Sequence, residues 1–150
     1  MEMKVGDLTI AEVFSTEKRS YVYNIPKYQR EYTWGEKEWD LLFNDVIEND
    51  PGYFIGSIIC IDTSSGERDS DTVYEVIDGQ QRITTLSLLL LAIYVKLSAL
   101  KASFIEDEDL LSTYLNLKKE LTTKTNGKVI PRLNPQIQHY NRDDYYSILK

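Results

Sequence analysis

Three runs of β-branched and aromatic residues along the chain are typical of strands. Tyr21–Ile25 is the first, and Pro26 ends it because proline has no amide hydrogen to donate to a neighbouring strand. Tyr53–Ile61 and Val73–Ile77 follow, and the polar loop of about eleven residues between them favours a hairpin. These two strands are therefore predicted to be antiparallel neighbours, and Tyr53–Ile61 is apolar enough to be covered on both faces.

Apolar residues at helical spacing predict two helices in the first third of the chain. A short one lies within Asp7–Phe14. The second has Thr33 as its N-cap, because Glu36 stands three residues on and completes a capping box. Asp50-Pro51-Gly52 ends it. One face of this helix carries Trp39, Leu42, Phe43, Val46 and Ile47.

The most apolar helix follows Asp78-Gly79 and is predicted to run for about 20 residues, to Leu100 or Lys101. It is apolar nearly all round, which is typical of a helix central to a core, with Leu86–Leu97 buried. The remaining predicted elements are a helix at Glu106–Leu121, a polar turn at Thr122–Gly127, a short strand within Lys128–Leu133 and a last helix capped by Asn141 or Asp143.

These elements predict an α+β fold, with a small mixed or antiparallel sheet and helices packed around it. Residues 1–105 are expected to form the main domain, and residues 106–150 the start of a helical extension. No stop signal follows the apolar residues of the last helix, among them Ile148 and Leu149. The chain is therefore expected to be the N-terminal piece of a longer protein.

The charge and the cysteine content narrow the class of protein. The formal net charge of −7 does not attract a polyphosphate backbone through its average field. One cysteine, Cys60, cannot form an internal disulfide, which fits a reducing compartment. Met1–Ser15 lacks the apolar core of a signal peptide, and the apolar stretch Leu86–Val95 is shorter than the roughly 20 residues of a membrane span. A cytoplasmic protein with no membrane segment is expected.

Several kinds of active site are poorly supported by the sequence. No glycine pair fits a dinucleotide-binding motif, and no P-loop is present. His139 is the only histidine, so a zinc finger, a Ser-His-Asp triad and a histidine-based nuclease site have little basis. We expect His139 to be a partly exposed loop residue.

The first candidate site is the segment Ile77–Thr85, with the sequence IDGQQRITT, where a strand ends and a helix begins. Asp78 can cap that helix while Gln81 reaches back to complete a capping box. Gly79 permits a tight turn, and the free amides of the first turn together with Arg82 suit a phosphate or carboxylate. Gln80 and Gln81 can orient a water, and Asp78 can hold a metal-bound water. The alternative is ordinary turn chemistry followed by a solvated helix start.

The second candidate site is Ile25–Trp34, with the sequence IPKYQREYTW. Its aromatic rings can stack on a base while its cations bind phosphate. The residues concerned are Lys27, Tyr28, Gln29, Arg30, Tyr32 and Trp34. The alternative is that the rings staple the following helix to the protein and the charges are solvated.

In this order and spacing, IPKYQREYTW, FIGSI and IDGQQRITTL resemble the N-terminal domain of GmrSD-type restriction endonucleases. The resemblance covers roughly Asp7–Leu100 and continues into Ile130–Leu133 and the final helix. It implies a ParB/sulfiredoxin-like core that binds and hydrolyses a nucleoside triphosphate, GTP or ATP, with Mg²⁺. It also implies anti-phage defence against modified DNA, cut by a separate C-terminal HNH-type nuclease domain beyond residue 150.

The resemblance implies that Asp78–Arg82 handle the nucleotide, and that Tyr28, Gln29 and Arg30 line the same pocket or sense DNA. For nucleotide hydrolysis we assign the individual roles within this set. Asp78 would hold the metal or a water, Gln80 or Gln81 would orient the water, and Arg82 would bind phosphate together with Arg30. The nucleotide-binding set would be Tyr28, Gln29, Arg30, Trp34, Gly56, Gly79 and Thr84, with Tyr28 or Trp34 stacked on the base.

Two other functions stay open. The domain can be a non-catalytic module that senses DNA or binds a protein, using Tyr28–Trp34. A nuclease centre within the domain itself would have to use the carboxylates of Asp62, Asp69, Asp71 and Asp78.

Overall fold

The computed structural model describes residues 5–15, 20–66, 71–135, 145 and 147. Its elements are α1 (Ile10–Phe14), β1 (Tyr21–Ile25), α2 (Glu36–Glu48), β2 (Ile59–Asp62), β3 (Thr72–Asp78), α3 (Gln80–Phe104), α4 (Glu108–Leu121), β4 (Thr122–Thr125), β5 (Lys128–Pro131) and β6 (Leu133–Pro135). The predicted α+β class with a small mixed sheet is confirmed. The ParB/sulfiredoxin-like core is consistent with this architecture and stays a prediction.

The main sheet has four strands in the order β2-β3-β1-β6. β2 and β3 are antiparallel, as predicted, whereas β1 is parallel to both β3 and β6. Tyr23 lies at the centre of this arrangement, opposite Tyr74 on one side and Leu133 on the other. β4 and β5 form a separate hairpin closed by Asn126 and Gly127, both at positive φ. The predicted strand Lys128–Leu133 is therefore two strands, β5 and β6, interrupted at Arg132.

The core lies between the sheet and the first half of α3. Its buried residues are Phe14, Tyr21, Tyr23, Ile25, Leu42, Val76, Ile83, Leu86, Leu133 and Tyr145. The prediction that Leu86–Leu97 is buried holds in part: Leu86 and Leu91 are buried and Leu88–Leu90 are half-buried, whereas Ile93 and Val95 are 41% and 48% exposed. The 25 residues of α3 make a helix roughly 37 Å long, so it extends beyond the sheet. There it packs on α4, where the rings of Tyr94 and Tyr114 stack with centroids 4.9 Å apart.

Helix α3 as a whole is long and apolar enough to cross a membrane, although the shorter stretch Leu86–Val95 is not. The core helix of a soluble protein has the same length and composition, and the first half of α3 forms this core. The apolar character of α3 is therefore weak evidence for a membrane.

Two sequence-based predictions about exposed elements are wrong. The strand β2 is shorter than Tyr53–Ile61 and lies at the edge of the sheet, where Ile59 and Ile61 are 51% and 40% exposed rather than covered on both faces. Helix α2 has Gly35 as its N-cap, not Thr33, and the Glu38 carboxylate accepts from the Gly35 amide at 2.9 Å. The Thr33 amide instead donates to the side chain of Gln81.

The last part of the described chain returns to the main sheet. β6 pairs with β1, and the buried Arg132 donates to the Ser20 hydroxyl and to the carbonyls of Tyr21 and Lys119. The division at residue 105 stays a prediction, but β6 belongs to the same sheet as β1. Asn141, Asp143 and His139 lie outside the described residues.

Candidate functional site

The junction of β3 and α3 depends on a glycine. Gly79 has φ 83°, in the left-handed region. A β-carbon there would lie 2.7 Å from the carbonyl oxygen of Ser57 and 3.2 Å from Cα of Ile58. Gly79 therefore allows both the turn and the close approach of the chain that precedes β2.

The predicted capping box between Asp78 and Gln81 is wrong. Asp78 Oδ1 accepts from the amide of Gly79 at 2.8 Å, and no side chain in the described part of the chain caps the first turn of α3. Asp78 is exposed, so its carboxylate remains open to solvent. The first backbone N–H groups of a helix have no partner within the helix, and the helix dipole is positive at that end. The start of α3 therefore offers N–H donors together with a partial positive charge.

Gln81 holds the loop between β1 and α2. Its side chain is buried, donates to the carbonyl of Glu31 at 2.9 Å, and accepts from the amides of Thr33 at 2.8 Å and Trp34 at 3.2 Å. The first turn of α3 thus fixes a loop about 48 residues earlier in the chain. Both the nitrogen and the oxygen of the Gln81 side-chain amide are therefore hydrogen-bonded to protein backbone.

Gln80 is buried beside Gln81 but keeps one atom without a partner. Its Nε2 donates to the carbonyl of Arg30 at 3.1 Å. Its Oε1 has no hydrogen-bond partner among the residues that the structure describes, although Gln80 is only 7% exposed. A buried acceptor without a donor costs about 1–3 kcal/mol, so such atoms in native structures mark places where a water or a ligand binds.

Gln29 makes a third connection between the two sequence segments. Its Nε2 donates to the carbonyl of Ile77 at 2.9 Å, at the end of β3. Gln29, Gln80 and Gln81 therefore bind Ile25–Trp34 and Ile77–Thr85 together as one structure. Sequence analysis links these two segments only because they occur together in a known family. The hydrogen bonds give a physical reason why they occur together.

A chain of hydrogen bonds continues from this structure into α2. The indole of Trp39 donates to the Tyr32 hydroxyl at 2.8 Å, and Thr85 donates to the carbonyl of Gln81 at 2.7 Å. Tyr32 and Thr85 lie 2.6 Å apart. Because an indole can only donate and the Thr85 hydrogen is already used, Tyr32 donates to Thr85. Sequence reasoning misses Thr85, since no local pattern links it to Tyr32.

Arg82 lies against the backbone of Gly56. Gly56 has φ 124°, and a β-carbon there would lie 2.3 Å from Cζ of Arg82 and 2.5 Å from its Nε. One terminal nitrogen of Arg82 donates to the carbonyl of Ser57 at 3.0 Å, while its buried Nε has no partner within the described ranges. The absence of a side chain at Gly56 thus leaves space for the Arg82 guanidinium group, whose positive charge lies at the start of α3.

The aromatic residues of the second segment have different environments. Tyr28 is 70% exposed, and its hydroxyl donates to the Glu75 carboxylate at 3.0 Å, which raises the pKa of Tyr28. Trp34 is half-buried and packs against the core. Arg30 is exposed on the loop between β1 and α2, and Thr84 is buried on α3.

Carboxylates do not gather into a metal centre in the part of the chain that the structure describes. No three His, Cys, Asp or Glu side chains there come together as ligands. Asp62 accepts from the Ser64 amide, and Asp71 accepts from the hydroxyls of Thr123 and Thr125. Asp69 lies outside the described residues. A nuclease centre in this domain gains no support from these positions.

Comparison with known families gives one match. Residues 10–150 match the family profile described as GmrSD restriction endonuclease, N-terminal domain. The match includes both sequence segments and extends through β6. No curated protein matches the chain.

Proposed function

Because the chain belongs to the family of GmrSD restriction endonuclease N-terminal domains, we propose that it binds and hydrolyses a nucleoside triphosphate within a modification-dependent restriction protein. Membership makes the chain part of a restriction endonuclease, with a role in restriction and defence. The nucleotide, its hydrolysis and the recognition of modified phage DNA are our proposals.

The observation that carries the proposal is the unpartnered Oε1 of the buried Gln80, at a helix start that no side chain caps. An acceptor in this position suits a ligand hydroxyl, a base N–H or an ordered water. The opening amides of α3 are donors for the phosphate oxygens of the same ligand. A nucleotide presents both kinds of group.

The charged residues around this point suit a triphosphate. Arg82 is held by Gly56 and Ser57, and Arg30 is exposed on the loop that Gln80 binds. Both would balance phosphate charge, which is the protein's main task in phosphoryl transfer. The exposed carboxylate of Asp78 is an oxygen donor of the kind that Mg²⁺ prefers, and it would hold that ion. When bound, Mg²⁺ would neutralise charge on the phosphates.

The hydrogen bonds of the two glutamines support a different role for each. Gln81 is engaged at both ends by Glu31, Thr33 and Trp34, so it would position the loop. Gln80 has a buried oxygen without a partner, so it would accept a hydrogen bond from the attacking water and orient it. Tyr28, with its exposed ring, is the better candidate for stacking on the base, since Trp34 packs on the core.

The test is binding and hydrolysis of GTP and ATP with Mg²⁺ by the parent chain and by Arg82→Ala. We expect Arg82→Ala to abolish binding or turnover, and Gln80→Ala to lower turnover by about a hundredfold, the scale for a lost water-positioning group. Lys124→Ala, which removes an exposed cation on β4, is the matched control and should behave as the parent. Hydrolysis by Arg82→Ala at the parent rate would overturn the proposal.

A non-catalytic DNA-sensing module is the second candidate. The observation that favours it is the exposure of Lys27, Tyr28 and Arg30 on one loop, where cations and a ring are open to solvent. The formal net charge of −7 counts against it. Binding to modified and plain duplexes, with its salt dependence, would separate the two candidates.

The full-length protein would complete the activity. An HNH-type nuclease domain would cut the modified DNA, and the domain described here would control it through the nucleotide. We place the protein in the cytoplasm, where nucleoside triphosphates and incoming phage DNA are both present.

A further inference from the structure

Helix α2 carries a line of exposed apolar side chains. Trp39, Phe43 and Ile47 are 46%, 47% and 59% exposed, and they lie four residues apart. Side chains at this spacing are neighbours along one face of a helix. Leu42 alone of this helix is buried in the core. Single exposed apolar residues are normal, but a continuous line of them marks an interaction surface.

Carboxylates border this line. Glu36 and Asp40 stand three residues before Trp39 and Phe43, which places each acid next to a ring on the helix surface. Both acids are exposed. The whole of α2 has five acidic residues and one basic residue, Lys37. The surface is thus an apolar line with a negative border.

We propose that this surface of α2 binds a basic amphipathic helix of a protein partner. The apolar face of that helix would cover Trp39, Phe43 and Ile47, and its lysines or arginines would lie opposite Glu36 and Asp40. A second copy of this chain fits poorly, because it would place acids against acids. Nucleic acid and anionic lipid are repelled by the same carboxylates.

The side chain of Trp39 is held in one orientation in the unbound protein. Its indole nitrogen donates to Tyr32, which fixes the ring before any partner arrives. A fixed side chain loses less conformational entropy on binding than a mobile one. Tryptophan is also among the residues that contribute most at protein interfaces.

The test uses the whole chain and a synthetic helical peptide of about 18 residues, five turns, with leucines on one face and lysines on the other. Calorimetry should detect binding of this peptide and none of a peptide with glutamate in place of lysine. Phe43→Ser and Ile47→Ser should each weaken binding by about tenfold or more. Val129→Ser is the matched control, because Val129 is also 59% exposed but lies on β5.

Charge reversal gives a second test that leaves the apolar residues in place. Asp40→Lys changes a surface residue, so it should fold as the parent does, and it should weaken binding of the lysine peptide. Equal binding of both peptides, unchanged binding by Phe43→Ser, or an equal loss in Val129→Ser would overturn the proposal. So would a dimer of the parent chain, seen by sedimentation, that Phe43→Ser dissociates.

Discussion

Gly56 lies directly against the guanidinium of Arg82, at a distance that leaves no room for a β-carbon. The contact joins the segment before β2 to the first turn of α3. A glycine in the sequence FIGSI and an arginine in the sequence DGQQR are therefore parts of one arrangement, although about 26 residues separate them.

Gly56→Ala should displace Arg82 and lower both stability and nucleotide turnover. Positive φ alone costs an alanine about 1 kcal/mol, and the clash with the guanidinium adds about 1–3 kcal/mol. Gly52→Ala is the matched control, because Gly52 has φ 96° but nothing within 4 Å of its added β-carbon. Urea unfolding and hydrolysis assays measure both effects. Equal losses in the two variants would show that the contact with Arg82 is unimportant.

The two glutamines of the first turn of α3 should respond differently to truncation. Gln81→Ala leaves two amides and one carbonyl of the loop without their partner, so we expect a loss of about 2–3 kcal/mol in unfolding free energy. Gln80→Ala breaks one bond, to Arg30, but it also removes the buried Oε1 that has no partner, so we expect the unfolding free energy to change by less than about 1 kcal/mol while turnover falls strongly. Chemical denaturation and kinetics on both variants check this. A larger stability loss in Gln80→Ala would contradict the assignment.

Tyr32 and Thr85 should be energetically coupled. Their hydroxyls are 2.6 Å apart, and Tyr32 also receives the Trp39 indole hydrogen. We expect a double-mutant cycle of Tyr32→Phe and Thr85→Ala to give a coupling of about 1 kcal/mol. Tyr53→Phe, at an exposed tyrosine outside this chain of bonds, serves as the control. Additive losses for Tyr32 and Thr85 would mean that the bond contributes nothing.

Cys60 should react slowly with alkylating reagents in the folded protein. Burial raises the pKa of its thiol from 9.0 to about 11, so the thiolate fraction at pH 8 is about 100-fold lower than in the unfolded chain. Iodoacetamide labelling with and without urea measures the ratio. A folded pKa above the unfolded value adds stability below pH 9 that is lost as pH rises towards 11. Cys60→Ser should lack this loss, and fast labelling of the folded chain would refute the expectation.

The sequence predicts the helices and strands better than it predicts what each of them packs against. The periodicity around Leu86 identified α3, and the loop before Val73 identified the β2-β3 hairpin, because both signals are local. The face of α2 was also found, but apolar spacing is the same whether the partner of Trp39 and Phe43 lies within the chain or outside it. Exposure of that face could not be predicted from spacing.

The candidate site shows the same limit of local patterns. Asp78 and Gln81 fit a capping box by spacing, yet the Gln81 amide binds backbone about 48 residues away. Nothing in the neighbouring sequence distinguishes these two uses of a glutamine. The left-handed turn at Gly79 can be predicted from the sequence, because an Asp-Gly pair between a strand and a helix favours it.

The pairing of β6 with β1 affects how the protein is made. Asn134 bonds to Asn24 across 110 residues of sequence, so one edge of β1 stays open until β6 has left the ribosome. At a synthesis rate of about 5–20 residues per second, that interval is on the order of ten seconds. During it, a strand rich in tyrosine and β-branched residues is exposed to other nascent chains. Chaperone binding to Tyr21–Ile25 during translation would protect the sheet until its last strand arrives.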